Sequence, residues 1–370
     1  MNLRQGCIGR QESLCMAAIA ACSSGLFTFD SSALYSLGNS AYITMLASAA
    51  IALIIFALAV NAMAASGHES LWALLRSGLG AFLSRVVALI YVLLLLACAA
   101  MLLSRFTLMM VRFVFPGVLE WKLIVYLAPV VFMLAWKGLE SIGRTSRLFI
   151  WLLLISLLGS LLLAAFNYKT YRLAPYLGDG IKNILGLGIK NALLFFPALL
   201  GLLIVARGVH GPKMAKRTGY SAAIAAGLLC SSAQLCLGMT FSYSELSKMH
   251  SPMYRLTMNF RSGGYFQRLD KLLFFGWVIS SMLAAGYYVY AASFLFAGAF
   301  EHNDIRPSVA VFSVLIIVFT MLMHSQAAIW GNIERVISGY GLLLAAIPLL
   351  LASLLARLKS PKKNMQEKES

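Results

Sequence analysis

Hydrophobic positions along this chain fall into long runs separated by short polar breaks. Ten runs are candidate membrane spans, at about 12–35, 41–64, 81–105, 122–137, 147–166, 184–206, 217–242, 270–299, 307–325 and 335–357. The fourth run is short and carries Pro129, and the eighth is long enough to tilt within the membrane or extend beyond it. This pattern predicts an all-α, polytopic membrane protein: one transmembrane domain over 1–359, followed by a charged, disordered tail at 360–370. The ten runs divide as five plus five, about 12–166 and 184–357.

Within the first run, Leu14 to Asp30, the apolar pattern is interrupted by Ser23-Ser24-Gly25. In lipid every backbone group has to be paired, so irregular backbone persists only where protein or a water-filled cavity covers it. The interruption is therefore a candidate unwinding point, and the bland alternative is a regular helix whose small residues let a neighbour approach. The first run of the second half carries Gly186, Gly188, Pro197 and Gly201. Matching Gly/Pro-interrupted runs in two halves point to a transporter-type binding site between them.

Composition agrees with this reading. The 370 residues are 61% hydrophobic and 12% charged, with a mean hydropathy of +0.83, whereas a soluble domain carries about twice that charged fraction. The net charge of +17 is spread over short loops. Contact with anionic lipid headgroups accounts for it, and no basic, aromatic-interleaved face exists for nucleic acid. The distribution of lysine and arginine among the loops places both termini in the cytoplasm. Ile19-Ala20-Ala21-Cys22 has the look of a lipoprotein cleavage site, but hydrophobicity continues past Cys22, so the segment is expected to stay as a first helix. The six cysteines contain no Cys-x-x-Cys pair, and five lie in or beside predicted spans, so free thiols are expected rather than a disulfide framework or a zinc site. His302 has no second histidine or cysteine at ligand spacing, and no nucleophile elbow or phosphate loop occurs. No metal, cofactor or enzymatic activity is expected.

Two connections, 167–183 and 243–269, are long enough to act as lids over a site. Of the acidic residues near spans, Glu140 lies four before Arg144 and is expected to form a structural ion pair with it. Asp270 and Glu334 read as helix starts, and Asp30 as a boundary residue. No sodium or proton site emerges.

Three stretches carry a family resemblance: Gly138-Leu139-Glu140-Ser141-Ile142-Gly143-Arg144, then Leu194-Phe195-Phe196-Pro197, then Ser251-Pro252-Met253-Tyr254 with Gln267-Arg268-Leu269-Asp270 and Trp277. With them the chain resembles the B subunits of bacterial spore germinant receptors, a branch of the amino acid–polyamine–organocation transporter superfamily. The resemblance implies a LeuT-like fold of two inverted five-helix repeats in the spore inner membrane. It implies a small germinant, usually an amino acid, bound between broken helices one and six and the third and eighth helices. The partners it implies are an A subunit and a lipoprotein C subunit. The site residues expected on this basis are Cys22, Ser23, Ser24 and Gly25 on the first span, Phe196, Pro197, Ala198 and Leu199 on the sixth, and Ser280 on the eighth. Many relatives follow the proline with a glycine and an acidic or polar residue, whereas here Ala198-Leu199-Leu200 follow. A ligand carboxylate is expected at half-helix N-termini near Ser24 and Gly25, and the lack of an acidic partner for an ammonium favours an apolar amino acid or a less charged ligand. Two rivals stay open: an amino acid or polyamine transporter of the same fold, and a structural subunit without ligand binding.

Overall fold

A computed structural model describes residues 6–27, 40–174, 180–246, 248–249, 251–258, 269–325 and 327–359. The tail, Asp30, Gln267 and Arg268 lie outside the described residues. The helices, in chain order, are α1 (Arg10–Phe27), α2 (Ala41–Ala65), α3 (Leu71–Leu79), α4 (Ala81–Phe113), α5 (Glu120–Lys137), α6 (Leu139–Ala164), α7 (Ile181–Asn191), α8 (Phe196–Ile204), α9 (Pro212–Thr240), α10 (Tyr243–Leu246), α11 (Pro252–Met258), α12 (Leu269–Ala299), α13 (Arg306–Ser325) and α14 (Ala327–Lys359). No strand occurs among the described residues.

Seven helices are long and apolar enough to cross a membrane: α2, α4, α6, α9, α12, α13 and α14. Taken as one span, the pair α7–α8, bent by 44° at its break, brings the number to eight. The other two predicted spans coincide with α1 and α5, helices of 18 residues each that carry Glu12 and Glu120 in their first turns. The amphipathic helix α3 was not anticipated. Ser70 caps it by accepting from the Ala73 N–H at 3.3 Å, and its nine residues make too short a periodic signal to stand out in an apolar chain. Glu334 is not a helix start, because α14 already begins at Ala327. The preceding Ala327-Ala328-Ile329-Trp330 extends the helix beyond the apolar run.

Burial separates the centre of the bundle from its rim. The most apolar stretch of α12 is 89% buried, against 33% for α6 and α13. Every described residue of α1 from Cys15 onward is buried. The outer face of α6 presents Leu148, Trp151, Ile155, Leu158 and Leu162, a stripe at helical spacing that water would not tolerate and lipid does. Around α1 pack α6, α8, α9 and α12, while α12 also meets α4 and α5. Gly138 separates α5 from α6 with φ of 87°, a left-handed turn that a side chain would strain. The described part of the first long connection is strapped to α9: the Lys169 N–H donates to the Met239 carbonyl at 2.9 Å, and Arg172 to the Thr240 carbonyl. Of the second connection, α11 is sunk into the bundle, with Met253, Tyr254 and Leu256 buried.

Candidate functional site

The expected unwinding of the first helix at Ser23-Ser24-Gly25 does not occur, since α1 is continuous through all three residues to Phe27. A glycine costs a helix only about 1 kcal/mol relative to alanine, and contacts from neighbouring helices hold this turn in place. The Ser24 and Tyr288 hydroxyls share a hydrogen bond at 2.7 Å. Tyr288 also donates to the Ala20 carbonyl at 3.2 Å, so its single proton is committed there and Ser24 serves as the donor to Tyr288. Gly25 meets α9 and the break in the sixth span. A Cβ placed on it would lie 2.8 Å from Cys230 Sγ and 3.2–3.3 Å from the Phe195 ring. The small residues therefore permit close approach. The amides of this stretch belong to a regular helix, so they are not free to hold a carboxylate.

The sixth span does break. A 3₁₀ turn, Ala192–Leu194, leads into Phe195, and α8 starts at Phe196 with Pro197 in its first turn. Proline lacks an N–H and clashes with a preceding helical turn, so the chain restarts with the 44° bend. Phe196, Ala198 and Leu199 are buried. Tyr287 donates to the Ala198 carbonyl at 2.9 Å and lies so close to Gly201 that a Cβ there would sit 2.6 Å from its hydroxyl. Two adjacent tyrosines of α12 thus hold the continuous first helix and the broken span, Tyr288 on α1 and Tyr287 on α8.

Of the residues expected on the first span, Cys22 is buried beside the Cys230 thiol of α9. Ser23 is fully buried, and its hydroxyl has no partner among the described residues. Ser280 is buried but donates to the Gly276 carbonyl of its own helix at 2.8 Å. Gly276 packs against Ser156 of α6, and Ser280, one turn on, shares that face. The face of α12 turned toward α1 carries Trp277, Ser281 and Tyr288 instead, at spacings of four and seven. Trp277 and Ser281 are fully buried, and among the described residues neither the Trp277 Nε1 nor the Ser281 hydroxyl has a partner. Reading α12 at period 3.6 would have marked this polar and aromatic stripe in the sequence.

Aromatic rings cover the α1–α12 contact. Phe27 packs on Trp277 at 5.3 Å and edge-on to Phe106 of α4 at 4.9 Å. The series continues through Phe274 and Tyr254 to Phe113, which connects α11 to the centre of the bundle. Glu140 and Arg144 lie elsewhere, near the start of α6, with 3.3 Å between Arg144 Nη2 and Glu140 Oε2 in an exposed pair. At the same end of the bundle an open cavity of about 450 Å³ is lined by Trp72, Arg76, Arg207 and Glu301. Its arginines make loose, exposed ion pairs, Arg76 with Glu301 at 3.6 Å and Arg207 with Glu69 at 3.8 Å.

A bundle whose buried first helix packs against a proline-broken sixth span has the architecture of a secondary transporter. The chain is similar in fold to a substrate-bound, outward-open Na+-coupled sialic acid symporter, with a TM-score of 0.63 at 11% identity over 93% of this chain and 89% of that one. It is similar also to the Eremococcus coleocola manganese transporter in complex with an aromatic bis-isothiourea compound, with a TM-score of 0.58 at 10% identity over 94% of this chain and 76% of that one. These are LeuT-fold transporters. No curated protein sequence matches this one. The family model described as spore germination protein matches residues 8–328, and the chain belongs to that family. It is a transporter-like membrane protein and not an enzyme.

Proposed function

We propose that this protein is the membrane-embedded ligand-sensing subunit of a spore germinant receptor, binding a small amino acid where α1 meets the break between α7 and α8. In this reading the ten runs are ten spans in two inverted five-helix repeats, about 12–166 and 184–357. Both termini are cytoplasmic, and the protein works beside an A subunit and a lipoprotein C subunit in the spore inner membrane. The observation that carries it is the packing of Gly25 directly on Phe195, which brings the first helix of one half onto the break in the first helix of the other. Membership of the spore germination protein family supports the physiological role.

Sensing is preferred to pumping because no acidic or basic side chain is among the buried ones of the described residues, whose polar groups are hydroxyls, thiols, an indole N–H and one glutamine amide, all neutral. A coupling ion or proton is ordinarily served by a carboxylate inside the membrane. The deciding experiment has two parts, both on the purified full chain. Thermal melting with a panel of amino acids should show stabilisation by at least one small neutral member, and absence of any shift refutes ligand binding. Proteoliposomes should then show no uptake of that labelled amino acid, and uptake would turn the assignment to a transporter.

A further inference from the structure

Because α1 is regular through Ser23-Ser24-Gly25, a ligand carboxylate has to find its donors elsewhere. Among the described residues five buried side-chain atoms lack a hydrogen-bond partner, and three of them, Ser23 Oγ, Trp277 Nε1 and Ser281 Oγ, lie on α1 and α12. Phe27 packs on Trp277, while Ala20 and Ser24 meet Tyr288, so the two helices run antiparallel in a defined register. Ser23 is one turn before Phe27, and Ser281 is one turn after Trp277. The two hydroxyls therefore stand level on facing sides, with the indole N–H one turn away. Both are fully buried, and they do not bond to each other. A native interior rarely leaves three such groups together unpaired unless something else completes them.

We infer that Ser23, Trp277 and Ser281 form the slot that receives the acceptor group, a carboxylate or carbonyl oxygen, of a small solute with no net charge. This rests on the ligand reading proposed above and moves its contacts from the side of α1 that carries Gly25 to the side turned toward α12. The indole N–H can only donate, so the bound group has to accept. No charged side chain is buried among the described residues, so the solute has to be neutral or zwitterionic. Phe27, Phe106 and Trp277 give the slot an apolar wall suited to a small aliphatic side chain.

An orphaned hydroxyl has a distinctive signature. Removing it relieves an unpaired buried group in the empty protein, yet removes a bond from the liganded one. The test is thermal melting of the purified full chain with L-alanine and L-valine, and with their decarboxylated counterparts ethylamine and isobutylamine. The wild type is expected to be stabilised by an amino acid and not by the amines. Ser23→Ala and Ser281→Ala should melt, without ligand, at or above the wild-type temperature, while about tenfold more amino acid is needed for the same shift, the equivalent of one hydrogen bond. Trp277→Phe keeps an aromatic ring and loses the N–H, and the same loss of affinity is expected. If it folds poorly, the serine variants decide alone. Wild-type dose response in both serine variants would mean that the slot holds only water, and would overturn the inference while leaving the ligand reading intact. Stabilisation by the amines as strong as by the amino acids would overturn it too, and no response of the wild type to any probe would remove both.

Discussion

The packing at Gly25 can be tested without knowing the ligand. In Gly25→Ala the new methyl meets Cys230 Sγ at 2.8 Å and the Phe195 ring at 3.2–3.3 Å. The sulfur has to retreat by about 0.6 Å to reach ordinary contact at 3.4 Å, inside a core where both side chains are fully buried. Overpacking of this kind costs about 1–3 kcal/mol, and alanine returns about 1 kcal/mol through its helix propensity. A net loss of about 1 kcal/mol is expected. Cys230→Ala alone should lose about 1–2 kcal/mol, from the buried sulfur and the space it leaves. In the double variant the methyl added at position 25 occupies part of that space, so the two losses should not add. A favourable coupling of about 1 kcal/mol is expected, measured by denaturant unfolding in mild detergent with all four members of the cycle. Additivity within about 0.5 kcal/mol would show that α1 and α9 do not meet here, and the proposed site would lose its floor. Gly25→Leu extends the same logic: its longer side chain runs into Phe195 as well, so ligand-induced stabilisation should disappear.

Gly219→Ala is the matched control, since a methyl there collides with the Phe56 ring of α2. It should cost about 2 kcal/mol and leave the amino acid dose response unchanged, because position 219 lies about 16 Å along α9 from Cys230. Tyr287→Phe removes the donor to the Ala198 carbonyl and should lower stability in the same unfolding assay by about 1 kcal/mol. Outside the spans, Glu245 Oε2 accepts from the backbone N–H and the hydroxyl of Ser242, both at 2.8 Å, and these bonds hold its carboxyl below the ordinary 4.5. A lowered folded value means that the stabilisation is complete above 4.5 and is lost as pH falls through the folded value. Protection of the Ser242 amide from hydrogen exchange should follow that course, and Glu245→Gln should flatten it.

The long apolar runs made most of the helices legible, because lipid enforces continuous backbone hydrogen bonding and leaves few alternatives to a helix. The break in the sixth span was readable from Pro197, whose missing N–H is a covalent fact. At Ser23-Ser24-Gly25 the unwinding fails and the close-approach alternative holds for the complementary reason: serine and glycine only lower helix propensity, and tertiary contact from Tyr288, Cys230 and Phe195 overrides that preference. Ser280 and Ser281 could not be told apart by composition. Only the register of α12, set by Gly276 against α6 and Trp277 against Phe27, shows which of the two faces α1. Which hydroxyls lack partners is a property of packing and has no signature in the chain.

The continuity of α1 changes where recognition has to reside. An unwound helix would offer the ligand several backbone donors whatever side chains stood there, and would hold a carboxylate strongly. With that backbone closed, the proposed slot offers two hydroxyls and one indole N–H, each worth about 1 kcal/mol net. Three such bonds supply about 3 kcal/mol, a factor of about 150 in affinity, and the remainder has to come from burying a small apolar side chain against Phe27, Phe106 and Trp277. Because an isopropyl side chain buries more apolar area than a methyl, at about 0.8 kcal/mol per added carbon, affinity should rise from alanine toward valine until the aromatic wall is filled. It should then fall steeply, since Phe27 is held between Trp277 and Phe106 and has little room to yield. Selectivity in this protein would then be set by the size of the ligand's side chain more than by its charge.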